Sequence, residues 1–392
     1  MEPTIAGVLA LITCGLAVSC VFAGSALAQP GQDEVTPVVA DVIAAPHQVL
    51  ADDGRRHLAY ELELINRSSW TATVRRIQTL ARGKVVATLS GKRLAGLMLP
   101  FGAQTQGTKL TPGRSGFVLM DASFPAAGKL PVRLTHRISI RINRKPGDSV
   151  AATRYLTAPT RVVRRPAVVV APPLRGSNWV VFNGCCDDFT AHRGAVLGIN
   201  GALHVPERFA IDFLQIDAAG RLFSGPKELL SSYGYFGAPV LAASDGRVVA
   251  KVDGLPETSL TGGLPPGIAA WKAGGNHVVV GMGGGRFSLY AHMQPGSITV
   301  NVGGRVRVGQ QVGLLGNTGN TDAPHLHFHV MDTPSPLASN SLPYRFSRFT
   351  VQSALTNLPA FFDGAQAALR SPRTAGPHRG ELPLDARVLS FD

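Results

Sequence analysis

The chain has 392 residues, 45% of them hydrophobic and 16% charged, which is enough apolar material for a buried core and excludes a mainly disordered chain. Lys and Arg outnumber Asp and Glu by 38 to 25, giving a formal net charge of +13, and only eight of the 38 are Lys. This balance suits an anionic partner (nucleic acid, anionic lipid or acidic envelope polymer), and composition does not choose among them.

Residues 1–28 read as a secretory signal. Ile5 to Ala23 is almost uninterrupted apolar sequence, and Ala26-Leu27-Ala28 supplies the small residues that precede a cleavage site at Gln29. The alternative is an uncleaved membrane anchor, because the stretch is long enough to span a bilayer and Met1-Glu2-Pro3-Thr4 lacks a basic side chain. After cleavage no stable membrane span is expected, and the cysteines left are the neighbours Cys185 and Cys186. Adjacent cysteines fit disulfide geometry poorly, so the pair is read as incidental, with metal binding or electron shuttling as alternatives.

From residue 36 to about 160 strand-like runs follow one another. His57–Leu64 alternates apolar with polar, the pattern of a half-buried strand. Further runs at 72–80, 84–89, 116–122, 132–142 and 154–156 are separated by turn clusters such as Pro112-Gly113. The spacing predicts an immunoglobulin-like β-sandwich over 36–160. Residues 161–178, with Arg164-Arg165-Pro166 and Pro172-Pro173, read as an extended Pro/Arg-rich linker. A second domain over 179–392 is again rich in strands, with runs at 179–182, 209–216, 240–243, 247–252, 277–282, 287–291 and 326–331. A short helix is expected near 365–369 and a closing strand within 382–391. The fold class is therefore all-β.

Histidine placement is the most informative feature. Eight of the eleven His lie after residue 179. His325, His327 and His329 alternate with Leu326 and Phe328, so a strand puts all three imidazoles on one face, with next-but-one residues about 7 Å apart. Asn276-His277-Val278, Tyr290-Ala291-His292, Gly316-Asn317-Thr318-Gly319-Asn320 and Pro324-His325-Leu326-His327 occur in that order. Together they closely resemble the M23 family of zinc metallopeptidases, the lysostaphin-like or LytM-like cell-wall endopeptidases, over about residues 179–350.

The resemblance implies a peptidase that binds one zinc ion per chain and acts on peptidoglycan stem peptides or cross-bridges. It implies Asp212 and His327 as metal ligands and His292 and His325 as the catalytic pair. Most members carry the first metal-binding His four residues before the Asp, where this chain has Arg208. Two candidates remain, His192 and His204. On one extended strand His204 and Asp212 would stand about 26 Å apart. His192 and Asp212 instead flank Asn200-Gly201, a hairpin signal whose two arms could bring them together, and the longer spacing resembles a subgroup of the family. His192 is the expected ligand. His329 stands where many members have Glu, and a supporting hydrogen-bond role is expected for it.

The implied setting is exported: periplasmic, extracellular or bound to the cell envelope, with peptidoglycan or another envelope peptide as partner. No nucleic-acid-binding motif is found. The rival reading is a non-catalytic M23-like protein that binds cell wall or activates another hydrolase. The N-terminal sandwich is expected to dock on wall or membrane, or to occlude the catalytic groove.

Overall fold

Ten strands between Val38 and Arg161 assemble into two facing antiparallel sheets. The computed structural model describes residues 33–143, 151–186, 188–261 and 269–391, so the signal-sequence reading of 1–28 lies outside the described residues. One sheet has the order Val38–Val42, Arg55–Asn66, Ser115–Pro125 and Met98–Pro100, with His47–Leu50 also paired to Arg55–Asn66. The other has the order Arg154–Arg161, Arg133–Ile142, Ala72–Ala81 and Lys84–Ser90, with Lys109–Leu110 beside Ala72–Ala81. Leu58, Tyr60, Leu62, Val74, Ile77 and Ile138 fill the space between them. The all-β expectation holds, and among the described residues only Gly91–Leu97 and Leu358–Phe362 form α-helix.

The second half builds a twelve-stranded sheet. Its central order is Gly246–Val252, Asn276–Gly283, Arg286–Met293, Leu326–Met331, Ile211–Gln215, Gly176–Phe182, Arg387–Phe391 and Phe349–Leu355. Two turns and one strand that the sequence marks are present: Gly283-Gly284-Gly285 between two strands, Asn200-Gly201 joining Leu197–Ile199 to Ala202–His204, and the closing strand at Arg387–Phe391. Asn200 and Gly201 both have positive φ (51° and 81°), as a two-residue hairpin turn requires.

Four expectations are corrected. The helix placed at 365–369 forms instead at Leu358–Phe362, where Pro359 starts it and Gly364 (φ 92°) lies just beyond its end. The stretch 161–178 is not a free connection: Val168–Val170 pairs in parallel with Tyr344–Phe346, and Gly176 already belongs to the large sheet. Cys185 and Cys186 are joined in a disulfide, both buried, within the segment that leads to His192. The strand Arg55–Asn66 is not half-buried, because both its faces are covered from His57 to Leu62.

That double burial has a clear cause. Thr36–Asp392 form one compact unit, and the outer face of Arg55–Asn66 meets the second half of the chain. Glu61 receives Arg208, and Asp52 receives Arg387 together with the backbone N–H of Leu384. The apolar clusters also cross over: Val196 and Val205 pack into the sandwich core, while Val49 and Ala59 pack into the core of the large sheet.

Candidate metal centre

Strand register sets the centre of the site. Ile211–Gln215 and Leu326–Met331 pair antiparallel with Asp212 opposite His327, and Ala291 lies opposite His327 on the other side. Alternation then brings His325 and His329 to the same face. The next residue after Ala291, His292, leaves the ladder with φ 63°, a left-handed conformation uncommon for a side-chain-bearing residue. Its backbone N–H donates to Gly274 O at 3.0 Å. The local bend places its ring 4.5 Å from that of His325 and 5.8 Å from that of His327.

His192, Asp212 and His327 offer ligand atoms that all lie within 4.8 Å of one another, and His292, His325 and His327 form a second such group. His192 Nε2 is 3.2 Å from Asp212 Oδ2, and His327 Nδ1 is 3.0 Å from Asp212 Oδ1. His325 Nε2 lies 3.3 Å from the same Oδ1. Asn183 Nδ2 donates to Asp212 Oδ2 at 2.8 Å. All five predicted site residues are thus gathered, and all are buried.

His204 is not part of this assembly. It pairs with Leu197 at the end of its hairpin and belongs to neither group of metal-capable residues. The hairpin has only three residues per arm, so it does not carry His192 and Asp212 across from each other as the sequence suggested. His192 sits in the turn before the hairpin, where its Nδ1 donates to Asn183 O (3.1 Å) and Ala210 O (3.2 Å). Asn183 ends one strand beside Asp212 and Ala210 precedes the other, so both strands hold the ring.

Carbonyl partners fix the tautomers, since a carbonyl only accepts. The Nδ1–H of His292 donates to Thr318 O (2.7 Å) and that of His325 to Ala323 O (2.8 Å), leaving Nε2 of both rings without a proton when neutral. His327 Nε2 lies 2.8 Å from His329 Nδ1. With His327 Nδ1 turned to Asp212 as a ligand atom, Nε2–H donates and His329 accepts. Burial and the adjoining imidazoles of His327 and His192 hold the pKa of His329 well below the usual His range, which suits an acceptor.

The electrostatics centre on one carboxylate. Burial alone would raise the pKa of Asp212, yet the rings of His192 and His325 hold it well below the carboxylate range. Burial opposes a charge on His192, but Asp212 outweighs it and pushes that pKa up to about 9. His292 is held well below the His range by burial and by His325 and His327. The donor set fits a metal ion, because His192, Asp212 and His327 each offer one ligand atom and these atoms all lie within 4.8 Å of one another, with the imidazole and carboxylate donors that zinc takes.

A cavity of about 330 Å3 opens over this cluster, walled by Phe182, Leu214, Leu337 and Phe362 as well as the His residues. Among the described residues, everything that lines it comes after residue 181. None of the described residues of the sandwich lines the groove. Asn183 and Thr321 were not singled out as site residues. Thr321 Oγ1 donates to Ala323 O and is 3.2 Å from His325 Nδ1. The Gly316–Asn320 run was a readable signal for that loop, and Asn183, at φ 57°, opens the pair Asn183-Gly184, itself a turn signal.

Residues 232–339 match Peptidase family M23, and the chain carries an M23 peptidase domain. Over 138 residues it is 31% identical to the glycyl-glycine endopeptidase ALE-1 of Staphylococcus capitis, covering 34% of this chain and 26% of that protein. Over 95 residues it is 36% identical to the murein hydrolase activator EnvC of Escherichia coli (strain K12), covering 24% of this chain and 18% of that one. The chain thus spans about a quarter or less of the length of these relatives. Among solved structures, the catalytic domain of lysostaphin from Staphylococcus simulans is 27% identical, with 37% of this chain and 80% of that chain covered and a TM-score of 0.23.

Proposed function

We propose that the chain is an exported zinc metalloendopeptidase that hydrolyses peptide bonds in peptidoglycan stem peptides or cross-bridges. The observation that carries this reading is the buried convergence of His192, Asp212 and His327 with His292 and His325 beside them. In this reading residues 1–28 direct export to the periplasm or cell exterior. Residues 36–160 form the immunoglobulin-like module, 161–178 connect it, and 179–392 form the peptidase.

His192, Asp212 and His327 hold one zinc ion, with Asn183 and His329 orienting Asp212 and His327 through the hydrogen bonds above. The chemistry supplied when zinc is bound is Lewis acidity, which polarises the scissile carbonyl and lowers the pKa of a water in the open fourth position. His325, with Nε2 free, takes the water proton. His325 then passes that proton to the leaving amine, and His292, which lines the same cavity with its ring fixed by the 2.7 Å bond to Thr318 O, flanks the reacting carbonyl as the second His of the pair. Phe182, Leu214 and Phe362 keep bulk water from the reacting carbonyl.

The test is metal analysis of the purified chain together with release of soluble fragments from cross-linked peptidoglycan. One zinc per chain and fragment release are expected, with His292→Ala and His325→Ala abolishing release while retaining zinc. A metal-free protein that binds peptidoglycan without cutting it would replace this reading with that of a cell-wall binder or hydrolase activator.

A further inference from the structure

Charge in the sandwich is segregated by sheet. The strands Ala72–Ala81, Lys84–Ser90, Arg133–Ile142 and Arg154–Arg161 contain no Asp or Glu. The described acidic residues of the module, among them Asp41, Glu61, Glu63 and Asp121, lie on the opposite sheet or its turns.

The register lays arginines out as a grid on the solvent side of the acid-free sheet. Arg133, Arg137 and Arg141 alternate along the central strand, while Leu134, His136, Ile138 and Ile140 point into the core. Arg161 lies directly opposite Arg133. Arg154 and Arg76 flank Ser139 on either side, and Leu156 lies opposite Arg137. None of these six arginines has an ion-pair partner among the described residues; the single side-chain contact is Arg137 Nη1 to Gln78 Oε1 at 3.5 Å. Like charges placed directly across a strand pair, as at Arg133 and Arg161, destabilise a sheet. The arrangement costs stability and leaves the charge facing outward.

We propose that this face docks the protein on an anionic lipid surface. Strands about 4.8 Å apart with outward residues every 7 Å give a flat array of guanidinium groups, which can each meet a phosphate bidentately. A single polyanion strand would track one row of charge. Here the cations spread over three neighbouring strands, with Leu156 59% exposed among them, and basic groups around an exposed apolar side chain suit a lipid headgroup layer. The face belongs to the sheet turned away from Glu61 and Arg208, so docking leaves the metal centre uncovered.

The test uses residues 29–392, which contain the whole compact unit, in co-sedimentation with phosphatidylglycerol/phosphatidylcholine vesicles and with pure phosphatidylcholine vesicles. Binding is expected only to the anionic vesicles and is lost at high salt. Arg137→Gln, Arg141→Gln and Arg154→Gln combined should weaken it about a hundredfold, at roughly fivefold per residue, with the melting temperature unchanged or raised. A charge-matched control, Arg247→Gln, Arg305→Gln and Arg307→Gln, should leave it intact. Equal loss in both triple variants, no binding to anionic vesicles, or binding through this face to purified cell wall but not to vesicles would each overturn the proposal.

Discussion

Arg208 and Glu61 form a buried, two-pronged ion pair between the second half of the chain and the sandwich. Arg208 Nε lies 3.1 and 3.0 Å from the two carboxylate oxygens of Glu61, and its Nη2 also reaches Oε2. Arg193, the residue after His192, approaches the same carboxylate at 3.8 Å. The position four residues before Asp212, where the family resemblance implied a metal-binding His, thus carries a strut to the sandwich. Removing Glu61 strands two buried guanidinium groups. Glu61→Ala should cost about 3–5 kcal/mol in urea unfolding. It should also lower zinc affinity about tenfold, measured by competition with a chelator, because both arginines brace segments bearing ligands.

The choice between His192 and His204 is open to direct measurement. His192→Ala should weaken zinc binding by more than the about 10–100-fold typical of losing an outer-sphere partner. His204→Ala should keep one zinc per chain. The reverse pattern would reassign the first ligand.

His329 gives a separate handle, since it touches His327 and is removed from the carboxylate. His329→Phe keeps the ring volume but deletes the acceptor, so zinc affinity should fall about 10–100-fold while the protein stays folded by circular dichroism. His329→Gln, whose side-chain oxygen accepts a hydrogen bond, should recover part of the loss.

Gly275 tests the loop that holds His292. A Cβ there would stand 2.1 Å from Thr318 O, the oxygen that fixes the His292 ring, and its φ is 58°. Gly275→Ala should therefore lower peptidoglycan hydrolysis sharply and destabilise by about 1–3 kcal/mol. Zinc content should be spared, because Thr318 touches none of the three ligands.

In the sandwich, His57 sits between Asp121 (2.7 Å) and Asp53 (3.1 Å). Burial opposes its charge, but hydrogen bonds and attraction from the two carboxylates push its pKa up to about 10. The folded value exceeds the unfolded one, so this stabilisation is fully present below about pH 6.5 and is lost as pH rises through about 10. His57→Gln should cost about 3 kcal/mol at pH 6, and the gap from the parent should shrink steadily towards pH 10.5 in urea titrations.

Much of the centre was legible because it rests on strand alternation. One run, 325–331, orders three imidazoles on one face, and the short run around Asp212 pairs beside it. His192 was reached for a different physical reason than the one that holds it: the Asn200-Gly201 turn exists, but carbonyls at two strand ends grip the ring. Glu61 was hidden by its own periodicity. A polar residue alternating with Leu reads as solvent-facing, and nothing local shows that the second half of the chain covers that face. The pairing of Val168–Val170 with Tyr344–Phe346 is likewise set by a partner distant in sequence.

The segment that ends in His192 is shaped from far downstream. Gly184 N–H donates to Asp385 Oδ1 across 201 residues, Asp385 N–H donates to Cys185 O, and Ala386 N–H to Val181 O. Strand Arg387–Phe391 also closes the free edge of Gly176–Phe182. During synthesis the chain consequently exposes His192 and Asn183 long before their scaffold exists. A nascent chain stopped anywhere short of Asp385 would lack the hydrogen bonds that shape the segment leading to His192. The order of translation thus acts as a timer that withholds the finished centre until almost all of this chain has emerged.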